Sequence, residues 1–404
     1  MIRRLQSLGL AVALVVAAFS TGYPFLFYLV YLGLLIGGGS YVVTRVGLAD
    51  LEAGYAVNQL TGHVGDRLRI IYTVRNTGRL PKPWLEVHNP TTLPGGLPGR
   101  ALSLGGRSER SWAVRALLER RGHHRIDPLQ VRTGDPFGFF EASAAVGHGI
   151  TLVVYPRIDP LPLWRLPPAS VEGAHGSPER TLQTTPLATT VRPYAPGDSM
   201  NRIHWRTTAR TGEIFVKEFE LEQTSDVWLF LDLEAEHELG EGDDSTTEVA
   251  VRVAASIADK AIAENRAVGL TASGHHTTVV PADRGARQRL KILQLLAAVE
   301  ADGATPLDEV LVAGIGRLRR GITAVVVTAT QDPAFVRPLA TLRARGVGVV
   351  VVSLDQTLFA PAPDPPEGDA LRQRARALRH ALAEYELPVY AVGPGRRLGE
   401  VLAR

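Results

Sequence analysis

The stretch DVWLFLDLEAE, residues 226–236, is apolar from Val227 to Leu231 and then sets Asp232, Glu234 and Glu236 at alternate positions. A strand that is apolar on both faces belongs inside a parallel sheet covered by helices on each side. The sequence downstream agrees. Val249, Val253, Ile257 and Ala261 recur at helical spacing. They are followed by AVGLTASG (267–274), then RQRLKILQLLAAVEA (287–301) and PLDEVLVAGIGRLRR (306–320) as helices. The strand ITAVVVTAT (322–330), the helix PAFVRPLATLRARG (333–346) and the strand VGVVVVSLD (347–355) continue the alternation, and a helix over 369–385 and the strand LPVYAVG (387–393) close it. Strands alternating with helices predict a doubly wound α/β domain over 226–404. No Gly-x-Gly-x-x-Gly follows the first strand and Gly-Lys-Ser/Thr is absent, so neither a dinucleotide nor a P-loop site is expected. Open parallel sheets hold ligands at the carboxyl ends of their strands. That edge carries Asp232, Glu234, Glu236, the loop threonine Thr305 and, after a later strand, Asp332. Such oxygens suit either a hard cation or a solvated acidic rim.

Upstream, residues 158–225 form a linker containing VRPYAPGDSMNRIHWRTTAR, residues 191–210. Pro196-Gly197 suits the centre of a type II turn. Asp198 then caps a helix predicted over 199–210, whose Arg202, Arg206 and Arg210 make one basic stripe, with Asn201, Trp205 and Ala209 on a neighbouring packing seam. The next segment, GEIFVKEFELE, places Glu218, Glu220 and Glu222 on one strand face. Two readings follow: a clasp in which these glutamates neutralise the arginines within the chain, or a docking surface for acidic groups on a partner. His204 alone supplies no nucleophile–base pair.

Residues 47–157 read as a β-sandwich of the immunoglobulin-like kind. DRLRIIYTVRN alternates over Leu68, Ile70, Tyr72 and Val74, and turns such as Asn76-Thr77-Gly78 and Gly-Asp-Pro-Phe-Gly punctuate short strands. His123 and His124, adjacent on a strand, point to opposite faces and read as a solvated pair. Residues 1–46 read as a transmembrane helical hairpin. No charge lies between Arg4 and Arg45, and two apolar runs flank Ser20-Thr21-Gly22-Tyr23-Pro24. A cleavable signal ending near Ala17-Ala18-Phe19-Ser20 also fits the first run. Arg3, Arg4 and Arg45 place the soluble part on the cytoplasmic side in either case.

The composition excludes several classes. There is no cysteine, hence no disulfide or thiolate site. Net charge is +3, and four lysines stand against forty arginines, so the arginine content is general and nucleic acid is not an expected partner.

In this order of segments, and in Arg192, Tyr194, Gly197, Asp198, Arg202, Ile203, Trp205, Ala209 and Arg210, the chain resembles the bacterial family called domain of unknown function 58. The resemblance implies a C-terminal von Willebrand factor A-like domain. It also implies a membrane-tethered partner of MoxR-type AAA+ ATPases, encoded near transglutaminase-like membrane proteins. Von Willebrand A domains bind a divalent ion through Asp-x-Ser-x-Ser, a later threonine and a later aspartate. Here Asp232 and Thr305 match, Glu234 and Glu236 replace the serines, and Thr328-Ala329-Thr330 stands where the last aspartate is expected. The expectation is a non-enzymatic scaffold in the bacterial inner membrane, facing the cytoplasm and without a cofactor. The alternatives are a divalent-metal-dependent adhesion-type module and, with no triad to support it, a hydrolase.

Overall fold

The computed structural model describes residues 2–164, 190–195, 198–218, 226–359 and 365–402. Two compact units are present, one over 1–158 with 293–299, the other over 159–292 and 300–404.

The first unit begins with α1 (Ile2–Thr21) and α2 (Pro24–Gly47), which pack on one another with Phe19 edge-on to Phe27 at 5.3 Å. Pro24 opens α2 at the one position where a missing N–H costs nothing. At 24 residues α2 is about 36 Å long and is long and apolar enough to cross a membrane. The apolar part of α1 among the described residues, Gly9–Thr21, is shorter. One helix, where two spans were expected, therefore meets the requirement.

A β-rich region follows. It comprises β1 (Leu51–Val57), β2 (Thr61–His63), β3 (Arg67–Asn76), β4 (Lys82–His88), β5 (Arg100–Leu104), β6 (Glu109–Leu117), β7 (Gly122–Ile126), β8 (Leu129–Gly134), β9 (Glu141–Val146) and β10 (Ile150–Tyr155). They form sheets ordered β1-β3-β6, β2-β10-β7 and β5-β4-β8-β9. The period-2 alternation read in β3 holds: Leu68, Ile70, Tyr72 and Val74 face a core shared with Leu85, Val87, Leu129, Val131, Leu152 and Val154. The expected solvated histidine pair is corrected. His124 is buried, its ring within hydrogen-bond distance of the Arg120 and Thr92 carbonyls, because its face of β7 looks inward.

The second unit holds a two-stranded ribbon of β11 (Thr190–Pro193) and β12 (Phe215–Glu218), with α3 (Trp205–Thr211) between them, and then the α/β domain. The latter comprises β13 (Asp226–Asp232), α4 (Thr246–Ala263), β14 (Val268–Ser273), β15 (Thr277–Asp283), α5 (Gly285–Ala298), α6 (Leu307–Gly314), β16 (Ile322–Thr328), α7 (Val336–Ala344), β17 (Gly348–Leu354), α8 (Gln356–Phe359), α9 (Pro365–Glu384), β18 (Val389–Val392) and α10 (Leu398–Val401). The strand order is β15-β14-β13-β16-β17-β18. All neighbours are parallel except β15, an antiparallel edge strand that the sequence reading passed over. Its sequence, TTVVPAD, is short and exposed on both faces, so it lacks the apolar signature of the inner strands. β13 is buried along its length, as read. On one face of the sheet Trp228, Phe230, Ala324, Val326, Val349 and Val351 join Leu311, Leu339, Leu342, Leu378 and Leu382 in one core. The segment entering this unit is pinned to α4, where Ser256 Oγ accepts from the Asp159 amide at 2.9 Å and Arg252 lies 3.7 Å from the Asp159 carboxylate.

Candidate functional site

The chain leaves β13 towards β14 and β15 on one side, then returns across β13 to β16 on the other, so the strand order reverses between β13 and β16. Loops on either side of such a reversal diverge and leave a crevice at the carboxyl edge. A cleft of about 610 Å³ opens there. Glu234, Glu236 and His237 follow β13, while Thr330, Gln331 and Asp332 follow β16. Asp308, Gln356 and Arg374 complete the polar lining.

Asp232 sits at the root of this cleft, 7 % exposed. Its Oδ2 accepts from Thr328 Oγ1 at 2.6 Å and its Oδ1 from the Glu234 amide at 3.2 Å. Burial pushes its carboxyl up, against the lowering effect of those two bonds and of His237. Glu234 is also raised, by burial first, and its Oε2 lies 3.4 Å from His237 Nε2, which pulls the other way. Thr328 Oγ1 in turn accepts from the Thr330 amide at 3.0 Å, and Thr330 Oγ1 accepts from the Asp332 amide at 3.2 Å. Asp332 Oδ1 caps the Ala334 amide at 3.0 Å. Gln356 donates to the Ala329 carbonyl at 2.8 Å. Gln331 is buried in the cleft lining with neither end of its side-chain amide hydrogen-bonded among the described residues.

The four residues read as degenerate ion ligands are thus placed as follows. Glu234 and Glu236 lie in the cleft lining, and Asp232 lies behind it, joined to Glu234 through the Glu234 amide. Thr305 lies in the loop that Gly303 ties to the same strand end, through Gly303 N to Leu233 O at 3.0 Å and Ala235 N to Gly303 O at 2.9 Å. Among the described residues no three His, Asp or Glu side chains converge so as to hold a metal ion. Sequence reasoning missed Thr328, Gln331, His237 and Asp308. The available signal was Thr328 itself, which stands where the last acid was expected, directly after Val327.

The arginine-rich stretch departs further from its reading. A continuous helix over 199–210 does not form. A 3₁₀ turn over Met200–Arg202 is separated from α3 by Ile203, which is buried and bridges Val216, and by His204. His204 Nδ1, not Asp198, accepts from the Thr207 amide, at 3.2 Å, and His204 N donates to Phe215 O at 2.8 Å. Strand pairing to β12 therefore wins over helical periodicity. Gly212, at φ +77°, ends α3 in the left-handed region. Asp198 instead takes both arms of Arg192, at 2.8 and 2.7 Å, and its Oδ2 also accepts from the Ala195 amide at 2.9 Å. Tyr194 is held by its amide to Ile214 O at 2.8 Å. The expected stripe is broken between Arg202 and the α3 pair Arg206 and Arg210, which are exposed and have no carboxylate partner among the described residues. The expected seam is exposed too, with Trp205 at 69 %. The Pro196-Gly197 turn, Glu220, Glu222 and the side chains of Arg202 and Glu218 lie outside the described residues, and with them the acidic half of the clasp.

Residues 190–360 match the family described as protein of unknown function DUF58. The uncharacterized protein YeaD of Bacillus subtilis is 28 % identical over 297 residues, which cover 71 % of this chain and 70 % of YeaD. The uncharacterized protein Rv1480 of Mycobacterium tuberculosis is 29 % identical over 170 residues, 41 % of this chain and 53 % of its own. The family match and the likeness to YeaD support the DUF58 family. Among solved structures, the CARDB domain of the PF1109 protein from Pyrococcus furiosus resembles 26 % of this chain and 92 % of its own, at 17 % identity and a TM-score of 0.20.

Proposed function

We propose that this chain is a membrane-anchored, non-enzymatic assembly protein of the bacterial inner membrane, whose C-terminal domain is von Willebrand factor A-like and binds a MoxR-type AAA+ ATPase in the cytoplasm. Two helices, α1 and α2, hold it in the bilayer, with Arg45 at the cytoplasmic end of α2. A transglutaminase-like membrane protein is a second partner implied by the family resemblance; nucleic acid is not one.

The observation that carries this reading is the internally closed acid at the point where the strand order reverses. Both Asp232 oxygens are engaged within the chain, one by the Thr328 hydroxyl and one by the Glu234 amide. That engagement ties the acid to the sheet, and since among the described residues no three His, Asp or Glu side chains converge on it, a protein-binding cleft is favoured over an ion site. It also argues against a hydrolase. The His237 ring faces Glu234, and among the described residues no hydroxyl hydrogen-bonds to it as a nucleophile–base pair requires. The exposed Trp205, Arg206 and Arg210 favour docking in trans over the clasp, because aromatic and arginine side chains are the commonest anchors of interfaces.

The test is co-purification of the tagged full chain, solubilised in detergent, with a purified MoxR-type ATPase in the presence and absence of ATP. Capture that depends on the α/β domain and survives chelation of divalent ions in the nucleotide-free state supports the reading. Absence of the ATPase from the captured material overturns it.

A further inference from the structure

The six-residue turn DPFGFF, Asp135–Phe140, joins β8 to β9, and none of the roles above uses it. It is tightly built. Asp135 is 9 % exposed and accepts from the Phe137 amide at 2.9 Å and the Phe140 amide at 2.6 Å, while its own amide reaches Phe140 O at 3.3 Å. The Gly138 amide donates to Asp135 O at 3.1 Å. This frame drives the aromatic rings outward. Phe137 and Phe139 stack at 5.9 Å, and Phe137 is 61 % exposed, with Phe139, Phe140 and the neighbouring Trp84 also exposed.

The turn lies against the last turns of α2. Ser40, Thr44 and Gly47 are the buried residues of that helix and form a narrow strip of small side chains. Elements β4, β8 and β9 pack on the same helix. A Cβ on Gly47 would stand 2.7 Å from Thr133 Cγ2, so the helix end and β8 approach as closely as glycine allows. Lys82, buried, donates to the Val46 carbonyl and so caps the helix C-terminus. Tyr41 meets Phe140 edge-on at 5.8 Å. Ser40 is seven residues before Gly47, about 10 Å back along the helix. The aromatic turn thus sits beside the segment of α2 where an apolar span gives way to its cytoplasmic flank.

We infer that Asp135–Phe140 is a second membrane contact, a rigid aromatic wedge that lies at the boundary between lipid headgroups and acyl chains. The inference rests on α2 being a membrane span. Its occupant is lipid and not a protein surface, because the patch is continuous through Tyr41 and Phe140 with the exposed apolar surface of α2. Aromatic side chains favour this boundary, and burial there reaches about 5–10 Å. The carboxylate of Asp135 tolerates that depth because amide donors already satisfy it.

The chain has no cysteine, so single-cysteine labelling is unambiguous. Three variants of the full chain, Phe137→Cys, Leu35→Cys and Gln130→Cys, are labelled with an environment-sensitive fluorophore and reconstituted into vesicles of phosphatidylethanolamine and phosphatidylglycerol. Spin-labelled lipids then quench at shallow or deep positions. The expected result is a blue-shifted Phe137 probe that loses more than half its emission to shallow quenchers and less to deep ones. The Leu35 probe, mid-span, loses more to deep quenchers, and the Gln130 probe, at the far end of β8, to neither. A Phe137 probe in water beside a quenched Leu35 probe overturns the wedge and leaves the span intact. A blue-shifted Phe137 probe that no lipid quenches also overturns it, since protein then covers the turn. Leu35 in water overturns the span, and the wedge with it.

Discussion

Two buried aspartates, one in each unit, have shifted in opposite directions. Both side chains are nearly closed off from solvent, but Asp135 lies in a surface turn of the β-rich region and Asp232 lies deep in the α/β domain, so burial, the first influence on each, weighs far more on Asp232. Asp135 ends below the usual carboxylate range and Asp232 above it. The difference lies in the depth of burial and in the donors. Asp135 collects two backbone amides from its own turn, at 2.9 and 2.6 Å, whereas Asp232 has one threonine hydroxyl at 2.6 Å and one longer amide contact at 3.2 Å. Burial penalises a charge, and the count and geometry of donors decide whether the penalty is overcome. The better-solvated acid frames a turn, and the poorer one is an internal tie at the root of a cleft.

The comparison breaks first at Asp135. Asp135→Asn leaves one of two amides without its acceptor and should cost about 2–3 kcal/mol at neutral pH, read by urea or thermal unfolding of the full chain in detergent. The folded pKa lies below the unfolded value, so the stabilisation is complete above about pH 4 and fades as pH falls through the folded pKa. The gap between wild type and variant should therefore narrow on acidification.

Thr328→Val comes next, removing the hydroxyl donor from Asp232 at a cost of about 1–2 kcal/mol in the same measurement. Asp232→Asn should behave differently from Asp135→Asn. It too leaves one donor, the Glu234 amide at 3.2 Å, without its acceptor, but it removes a deeply buried charge, and the two effects offset so that stability should stay within about 1 kcal/mol of wild type at neutral pH. Here the folded pKa is raised, so wild-type stability falls as pH rises from the unfolded value to the folded one, and the Asn variant gains on it across that window. A loss above about 2 kcal/mol at pH 7 would place the two aspartates in one class.

Smaller effects belong to the signature stretch. Arg192→Lys exchanges a two-armed contact with Asp198 for a point charge; Arg192 is partly exposed, so about 1 kcal/mol or less is expected. Faster hydrogen exchange at the Ala195 amide is the local readout, because Asp198 holds that N–H. Smallest in stability is Arg206→Glu, within about 0.5 kcal/mol since the side chain is exposed, yet under the proposed function it abolishes capture of the ATPase. A pronounced drop in melting temperature with capture intact would restore the clasp.

Sequence alone determined the elements whose environment is uniform along their length. β13 is buried on both faces and α4 around most of its circumference, and the continuous apolar run of one and the helical apolar spacing of the other need no knowledge of their neighbours. β3 does the same with period 2. The charge-free N-terminal window likewise gave an apolar helix, because a bilayer-length run is set by composition. The acidic edge after β13 was legible from its position, and Asp232, Glu234 and Glu236 are there. Tertiary structure decided whatever depended on a partner distant in the chain. Thr328 reaches Asp232 across 96 residues, Tyr41 meets Phe140 of the turn that Asp135 frames, and pairing of Ile203 with Val216 interrupts a helix that local periodicity favoured. A hydrogen bond between strand ends depends on sheet order and register, which no local pattern encodes, so the chemistry of both aspartates became visible only in the folded chain.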